Sequence, residues 1–483
     1  MPVTWLHGVE TIESTSATTS VTEVKTAVIA IVGTAPKGPV NKATIVNNAK
    51  DAAQFGTFAE YGLTSGFTIP YTINAIQAYG TGTIVVVNVF TPSETSETEK
   101  TVADEALTFA EGSATLAHPE KVSNLVLTST DGETTYALNT DYTFDAETGA
   151  VAKVAEGALA EVDSVKASYK YVETIKIDNN VKDITAADII GSTSEQGERT
   201  GLQALKDVFN QYGYNPKIIV CPEFSHEAGV REAMISIANK VRAICLVDAP
   251  KGVTVDDCLK ARGSEGSFNW QTTSDRVYLL YPYLKYYDQE TNQDQPIPYS
   301  SVMAGLMAWN DKQNGYWYSP SNKNFIGVTG TQVKITASYT DEDSEVQQLN
   351  AKGITSVMNV YGTGYKSFGN RLANFPESNG LPTFISSRRI SDMIAESLEN
   401  AQAPFVDLPL DGPIVDEIVR LGSNFLETLR SRNAIVGGSC WVSADNTTES
   451  LSDGKLIIDY EFTPPAALER ITNQITLTSS YYG

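Results

Sequence analysis

A chain of 483 residues carries 35 Lys and Arg against 58 Asp and Glu, a formal charge of −23, with 41% hydrophobic residues. Its length allows two to four domains with real cores. The acidic balance speaks against a nucleic-acid partner or an anionic membrane surface, and the longest apolar run, 27–32, is far too short to span a membrane.

The first 26 residues are rich in Thr, Ser and Val and show no helical stripe. They read as an extended arm, with Val9, Thr11, Val21 and Val24 as its candidate ladder residues. A-V-I-A-I-V (27–32) and T-I-V-V-V-N-V-F (83–90) are continuous apolar runs, expected as strands buried on both faces. Short helices are expected over 50–56 and 71–79, which gives a βαβ-like order. From Thr91 to Ile175 the chain changes character, with 16 Asp and Glu against 5 Lys and no Arg, a local charge of −11. Short strand candidates at 125–127, 134–138, 142–144, 149–154 and 164–171, with a D-A-E-T-G turn at 145–149, point to an inserted acidic β-sandwich or barrel.

Alternation of helices and strands resumes from 180, with strands expected at 217–221, 243–247 and 277–281 and helices at 184–190, 201–212, 227–240 and 302–313. The helix over 412–432 is the clearest element. Asp411 caps it, Pro413 suits its first turn, and Ile414, Ile418, Leu421, Phe425 and Leu429 form its buried stripe. Lys455 to Thr463 alternates, with Leu456, Ile458, Tyr460 and Phe462 on one face. After Pro464 and Pro465, I-T-N-Q-I-T-L-T-S-S-Y-Y-G places Ile471, Ile475 and Leu477 on one parity, the period of a half-buried strand. A lone strand leaves its amides and carbonyls unpaired, so both arms must add to their own body or to another copy of the chain.

The expected fold class is therefore α/β (α+β) and multidomain. An outer α/β domain takes 27–90 and 176–341, an acidic β domain is inserted at 91–175, and a second α/β unit takes 342–463. Extended arms at 1–26 and 464–483 flank them.

Residues that carry chemistry are scarce. The three histidines are His7, His118 and His226. Only His226, near Cys221 and upstream of Asp248, would serve a Ser-His-Asp site, and no nucleophile motif accompanies it. The four cysteines form no C-x-x-C and read as small buried hydrophobes. No catalytic residue, metal site or cofactor is expected. Arg388, Arg389, Arg420, Arg430 and Arg432 form either a solvated, dipole-compensating helix face or a local positive surface set against an acidic partner.

G-Y-W-Y-S-P-S-N-K-N-F-I-G-V-T-G-T (315–331) resembles the signature region of contractile tail sheath proteins, the family of contractile phage tails and R-type bacteriocins. G-E-R-T-G-L-Q-A-L (197–205), P-K-I-I-V-C-P (216–222), R-A-I-C-L-V-D-A-P (242–250) and H-G-V-E (7–10) resemble the same family in the same order, as does A-V-I-A-I-V-G-T-A-P-K-G-P-V-N (27–41). The acidic insert departs from compact members. The resemblance implies a structural subunit that polymerises around an inner tube, its arms adding strands to neighbouring inner domains. Leu456, Ile458, Tyr460 and Phe462 would then be the acceptor strand, and Arg420, Arg430 and Arg432 would face the tube. It also implies further copies of the chain, the inner tail tube protein, and baseplate and tail terminator proteins as partners. Assembly would take place in the host bacterial cytoplasm, followed by life in a virion tail or a released bacteriocin particle. The rival readings are an α/β hydrolase, which a nucleophile within reach of His226 would favour, and a strand-swapped surface-layer protein or adhesin, which a secretion signal would favour.

Overall fold

The computed structural model of the chain describes residues 21–92, 94–119, 121–146, 148–177, 180–359 and 361–482. Val9, Thr11 and His7 lie outside them. Two compact units divide the chain: Thr91–Asn180 is one, and the flanking chain through Phe90 and from Val181 is the other.

An eight-stranded sheet organises the larger unit. In spatial order its strands are Lys366–Phe368, Ile354–Met358, Val277–Leu280, Ile244–Asp248, Ile218–Val220, Val28–Gly33, Thr83–Asn88 and Thr44–Val46. The six inner strands run parallel and the two edge strands antiparallel. From Val28–Gly33 the chain steps first to Thr83–Asn88, then returns to the opposite side and moves outward, a doubly wound order. The apolar runs follow from this placement. Along the first strand Val28, Ala30 and Val32 enter one core while Ile29 and Ile31 enter the other, so every position is buried.

Helix Ala228–Val241 covers one face through Val230, Met234 and Ile237. Helices Thr68–Gln77 and Tyr299–Gln313 cover the other. These two approach closely because Gly305 has no side chain: a Cβ there would lie 2.6 Å from the Tyr79 ring and 2.9 Å from the Ile76 Cα.

The expected second α/β unit began at 342. Ile354–Met358 instead pairs in parallel with Val277–Leu280, and Lys366–Phe368 extends the same sheet. What lies beyond is a smaller module of two helices, Ile385–Gln402 and Gly412–Ser431, and a two-stranded antiparallel sheet, Gly437–Val442 with Ile458–Thr463. These share a cluster of their own built on Ile390, Ile394, Leu421, Phe425, Leu426 and Leu429. The Asp411 cap forms as expected, its carboxylate accepting from the Ile414 amide at 3.0 Å.

The unit Thr91–Asn180 is all β. The long strands Glu94–Thr108 and Ser164–Ile177 pair antiparallel, and Ser123–Thr128 and Thr135–Tyr136 extend that sheet. Ser113–Thr115, Ala150–Lys153 and Tyr142–Phe144 form a second sheet, its last two strands joined across the expected turn. Leu107, Leu127, Tyr142, Val151, Val165 and Tyr169 form its core. The last strand runs to Ile177, past the expected boundary at 175.

Candidate functional site

Among the described residues no constellation of reactive groups forms around His226. Its Nε2 lies 3.4 Å from the Glu227 carboxylate, its Nδ1 has no partner, and burial lowers its pKa. Asp248 faces elsewhere: its carboxylate accepts from the Ser300 amide at 2.7 Å and from the Ser300 hydroxyl, and its own amide donates to Ser225 Oγ at 3.0 Å. Among the described residues no group of three or more His, Cys, Asp and Glu is placed to hold a metal ion. The four thiols are free and buried.

Asp248 is fully enclosed, and burial pushes its carboxyl up to about 7 against the Ser300 hydrogen bonds, with nearby Glu223 adding to the rise. Between the ordinary carboxylate value and about 7, the folded chain holds a proton that the unfolded chain releases. This part of the stability is complete in acid and is lost as pH rises through about 7, at up to about 1.4 kcal/mol per pH unit. Asp248→Asn should flatten the decline in urea midpoint between pH 5 and pH 8. An unchanged slope would show that Asp248 does not titrate there.

The candidate site lies instead among residues 21–26, residues 464–482 and the small two-stranded sheet. Val21 and Val24 were expected to serve a neighbour. They pack here, half-buried, on the cluster of their own smaller module. The Val24 amide donates to Ser397 Oγ at 3.2 Å, and Glu23 pairs with Arg432. Residues 21–26 are thus the root of the first arm, tied to its own body.

The second arm behaves differently. Residues 464–482 form no ladder, and Ile471, Ile475 and Leu477 are 72%, 87% and 96% exposed, with Tyr481 and Tyr482 equally bare. The strand expected there is absent from the single chain because no edge of its own body pairs with it. Beside it, Ile458 and Phe462 of the candidate acceptor strand pack inward on the helices, while Tyr460 is exposed and Leu456 lies half-buried ahead of the strand. Ile458–Thr463 uses one edge on Gly437–Val442, and its other edge has no strand partner among the described residues. Trp441, Val442 and Ile457 are also exposed there.

The arginines divide into two groups. Arg389 is buried and Arg388 is largely enclosed, which corrects both readings of them. Arg389 forks onto Asp311, and Arg388 bridges Asp275 and Asp392 at 3.1 and 2.9 Å. They belong to a seam along helix Ile385–Gln402, where Asp392 also pairs with Arg276, Glu396 with Lys217, and Glu399 with Arg242. Burial lowers the Lys217 pKa and the Glu396 carboxylate opposes that. Arg420 and Arg430 stand exposed on helix Gly412–Ser431, paired along it to Glu417 and Glu427, and Arg432 is taken by Glu23. Sequence reading missed the seam, whose partners lie scattered along the chain.

Comparison with known proteins agrees with this architecture. The model of the phage tail sheath protein central domain matches residues 197–371, and that of the phage tail sheath C-terminal domain matches 377–478. A model for proteins of unknown function matches 85–182, which takes in the inserted β unit. The tail sheath protein of Burkholderia phage BcepMu is 40% identical over 485 residues, covering 100% of this chain and 98% of that protein. That of Escherichia phage P2 is 28% identical, covering 62% of this chain and 72% of its own. The fold is similar to a chain of the anti-feeding prophage baseplate (TM-score 0.58, 16% identity, 99% of this chain and 100% of that one). It is also similar to a chain of the contracted sheath complex of the PVC extracellular contractile injection system (TM-score 0.57, 15% identity, all of both chains). With a full-length relative at this identity and two sheath-domain models in register, the chain belongs to the phage tail sheath protein family.

Proposed function

We propose that this chain is the structural subunit of a contractile tail sheath, polymerising around an inner tube by lending its terminal strands to adjacent copies. The observation that carries this reading is the second arm, whose apolar residues alternate as a strand yet lie bare, in a chain whose small sheet has an edge with no strand partner among the described residues. A borrowed strand making about six ladder bonds gains several kcal/mol at a net ~0.5–1.5 kcal/mol each. Covering Ile475 and Leu477 adds about 1.5–3 kcal/mol apiece. A contact between unlike surfaces generates an open helical array when its rotation does not close into a ring. The related solved chains come from a sheath complex and from baseplates, which supports self-assembly within a contractile particle. The relatives are tail sheath proteins, and neither the hydrolase nor the surface-layer reading finds support.

Contraction would be a rigid-body rearrangement with the arms as hinges, driving the tube through a target envelope. The tube-facing surface is assigned to the exposed side of Gly412–Ser431. There Arg420 pairs with half-buried Glu417 and Arg430 with exposed Glu427, each one turn away along the helix, pairs weak enough to be exchanged for acidic groups of a tube. Baseplate and terminator proteins would meet the ends of the array.

Deleting Ile471–Gly483 tests the reading. The shortened chain should keep its circular dichroism and melting profile yet fail to form tubes visible by electron microscopy. Tubes of normal appearance would overturn strand exchange.

A further inference from the structure

The second arm leaves the body at one well-defined point. Pro464 is buried and ends the Ile458–Thr463 strand. From there residues 465–473 form one wall of a groove of about 1190 Å³, whose other side includes Trp317, Tyr339 and Phe368. Leu468 is exposed, so apolar packing does not hold this stretch. Glu469 does: its carboxylate takes both prongs of the Arg371 guanidinium, Nε at 2.8 Å and Nη2 closer still.

Arg371 is built to receive it. Its guanidinium carbon lies 3.7 Å from the Phe384 ring centroid and 4.9 Å from that of Phe375. Its remaining nitrogen donates to Gly380 O at 3.3 Å and to Thr383 Oγ1. Its side chain is 16% exposed against 40% for Glu469, so the receptor is preformed and the arm supplies the mobile half. A planar fork held by stacking fixes direction as well as distance. The adjoining Arg470–Glu342 pair, at 3.4 Å, has both members open to solvent and fixes little.

We infer that the Arg371–Glu469 pair is the positioning contact that sets the exit of the C-terminal arm, and so the register in which the arm reaches a second copy of the chain. This rests on the strand-exchange reading above. Every large apolar residue that follows, from Ile471 to Tyr482, is bare. Among the described residues Glu469 is therefore the last arm residue gripped by a largely enclosed partner. Without it the arm exits over many directions, and assembly must pay the lost orientation as entropy.

The test uses the full chain carrying Glu469→Lys, Glu469→Gln or the deletion of Ile471–Gly483. Fold is followed by thermal melting, arm order by the mobility of a nitroxide label carried in place of exposed Leu468, and assembly by sedimentation across protein concentrations. Glu469→Lys should melt as the parent, show a freely tumbling label at the root, and need about tenfold more protein to assemble at low salt. Glu469→Gln, which keeps an acceptor for Arg371, should fall between them, and 1 M salt should narrow the gap. If Glu469→Lys assembles at the parental concentration while the deletion does not, the latch is refuted and strand exchange stands. If the deletion also assembles normally, both fall.

Discussion

Arg389→Ala is expected to destabilise the folded chain by about 3–5 kcal/mol, the cost of leaving a buried charge without its partner. Arg389 and Asp311 are both almost fully enclosed, joined by a bond of 2.7 Å and a second, shorter one, and Arg389 Nη2 also reaches the Thr26 carbonyl at 3.2 Å. One side chain thus ties together the root of the first arm, helix Ile385–Gln402 and the end of helix Tyr299–Gln313. Once the guanidinium is gone, the Asp311 carboxylate is left in a dry site without its partner. Urea unfolding of the unassembled chain at pH 8 measures the deficit relative to the parent. A loss below about 1 kcal/mol at pH 8 would mean that water enters the seam and screens it. Replacing both partners by apolar residues of similar volume should cost far less than the single change.

Phe425→Ala is expected to cost a similar amount, about 3–5 kcal/mol, by a different route. Phe425 is buried in the cluster of the smaller module, with Ile390, Ile394 and Leu421. Removing its ring withdraws apolar area and leaves a cavity that the facing helices cannot close without shifting. Ile414→Ala, at the half-buried head of the same stripe, should cost much less. The fluorescence of Trp317, which packs on this cluster, offers a local readout. Equal losses for the two variants would mean that the stripe does not face the interior.

Much of the fold was legible because its signals are periodic. The strands Val28–Gly33 and Thr83–Asn88 announced themselves as unbroken apolar runs, and Gly412–Ser431 by its stripe, its cap and its Pro413. Strand Glu94–Thr108 was not foreseen. Its sequence is acidic and Thr-rich, and Asp104, with φ of 57°, sits where the register with Ser164–Ile177 shifts, which breaks any period of two. Helix Ile385–Gln402 was missed for the opposite reason: its buried side includes Ser386, Ser387, Arg389, Asp392 and Glu396, which read as a solvated surface until their partners appear. Those partners lie 78–179 residues away for Asp311, Arg276 and Lys217, a separation that local patterning does not reach. Of the proposed assembly surface, the period of two in the second arm and the alternating strand that precedes it were visible in sequence. The anchoring of Val21 and Val24 to their own body was not, because a valine shows no preference between its own core and a neighbour's.

The charged seam has a mechanical meaning. Apolar burial by itself carries no direction. Forked guanidinium and carboxylate pairs engage at single settings, like teeth. Under the proposed strand exchange, a twist delivered through the small module would therefore pass into the parallel sheet without slack, and the subunit would answer torque as one cog rather than as two beads on a string.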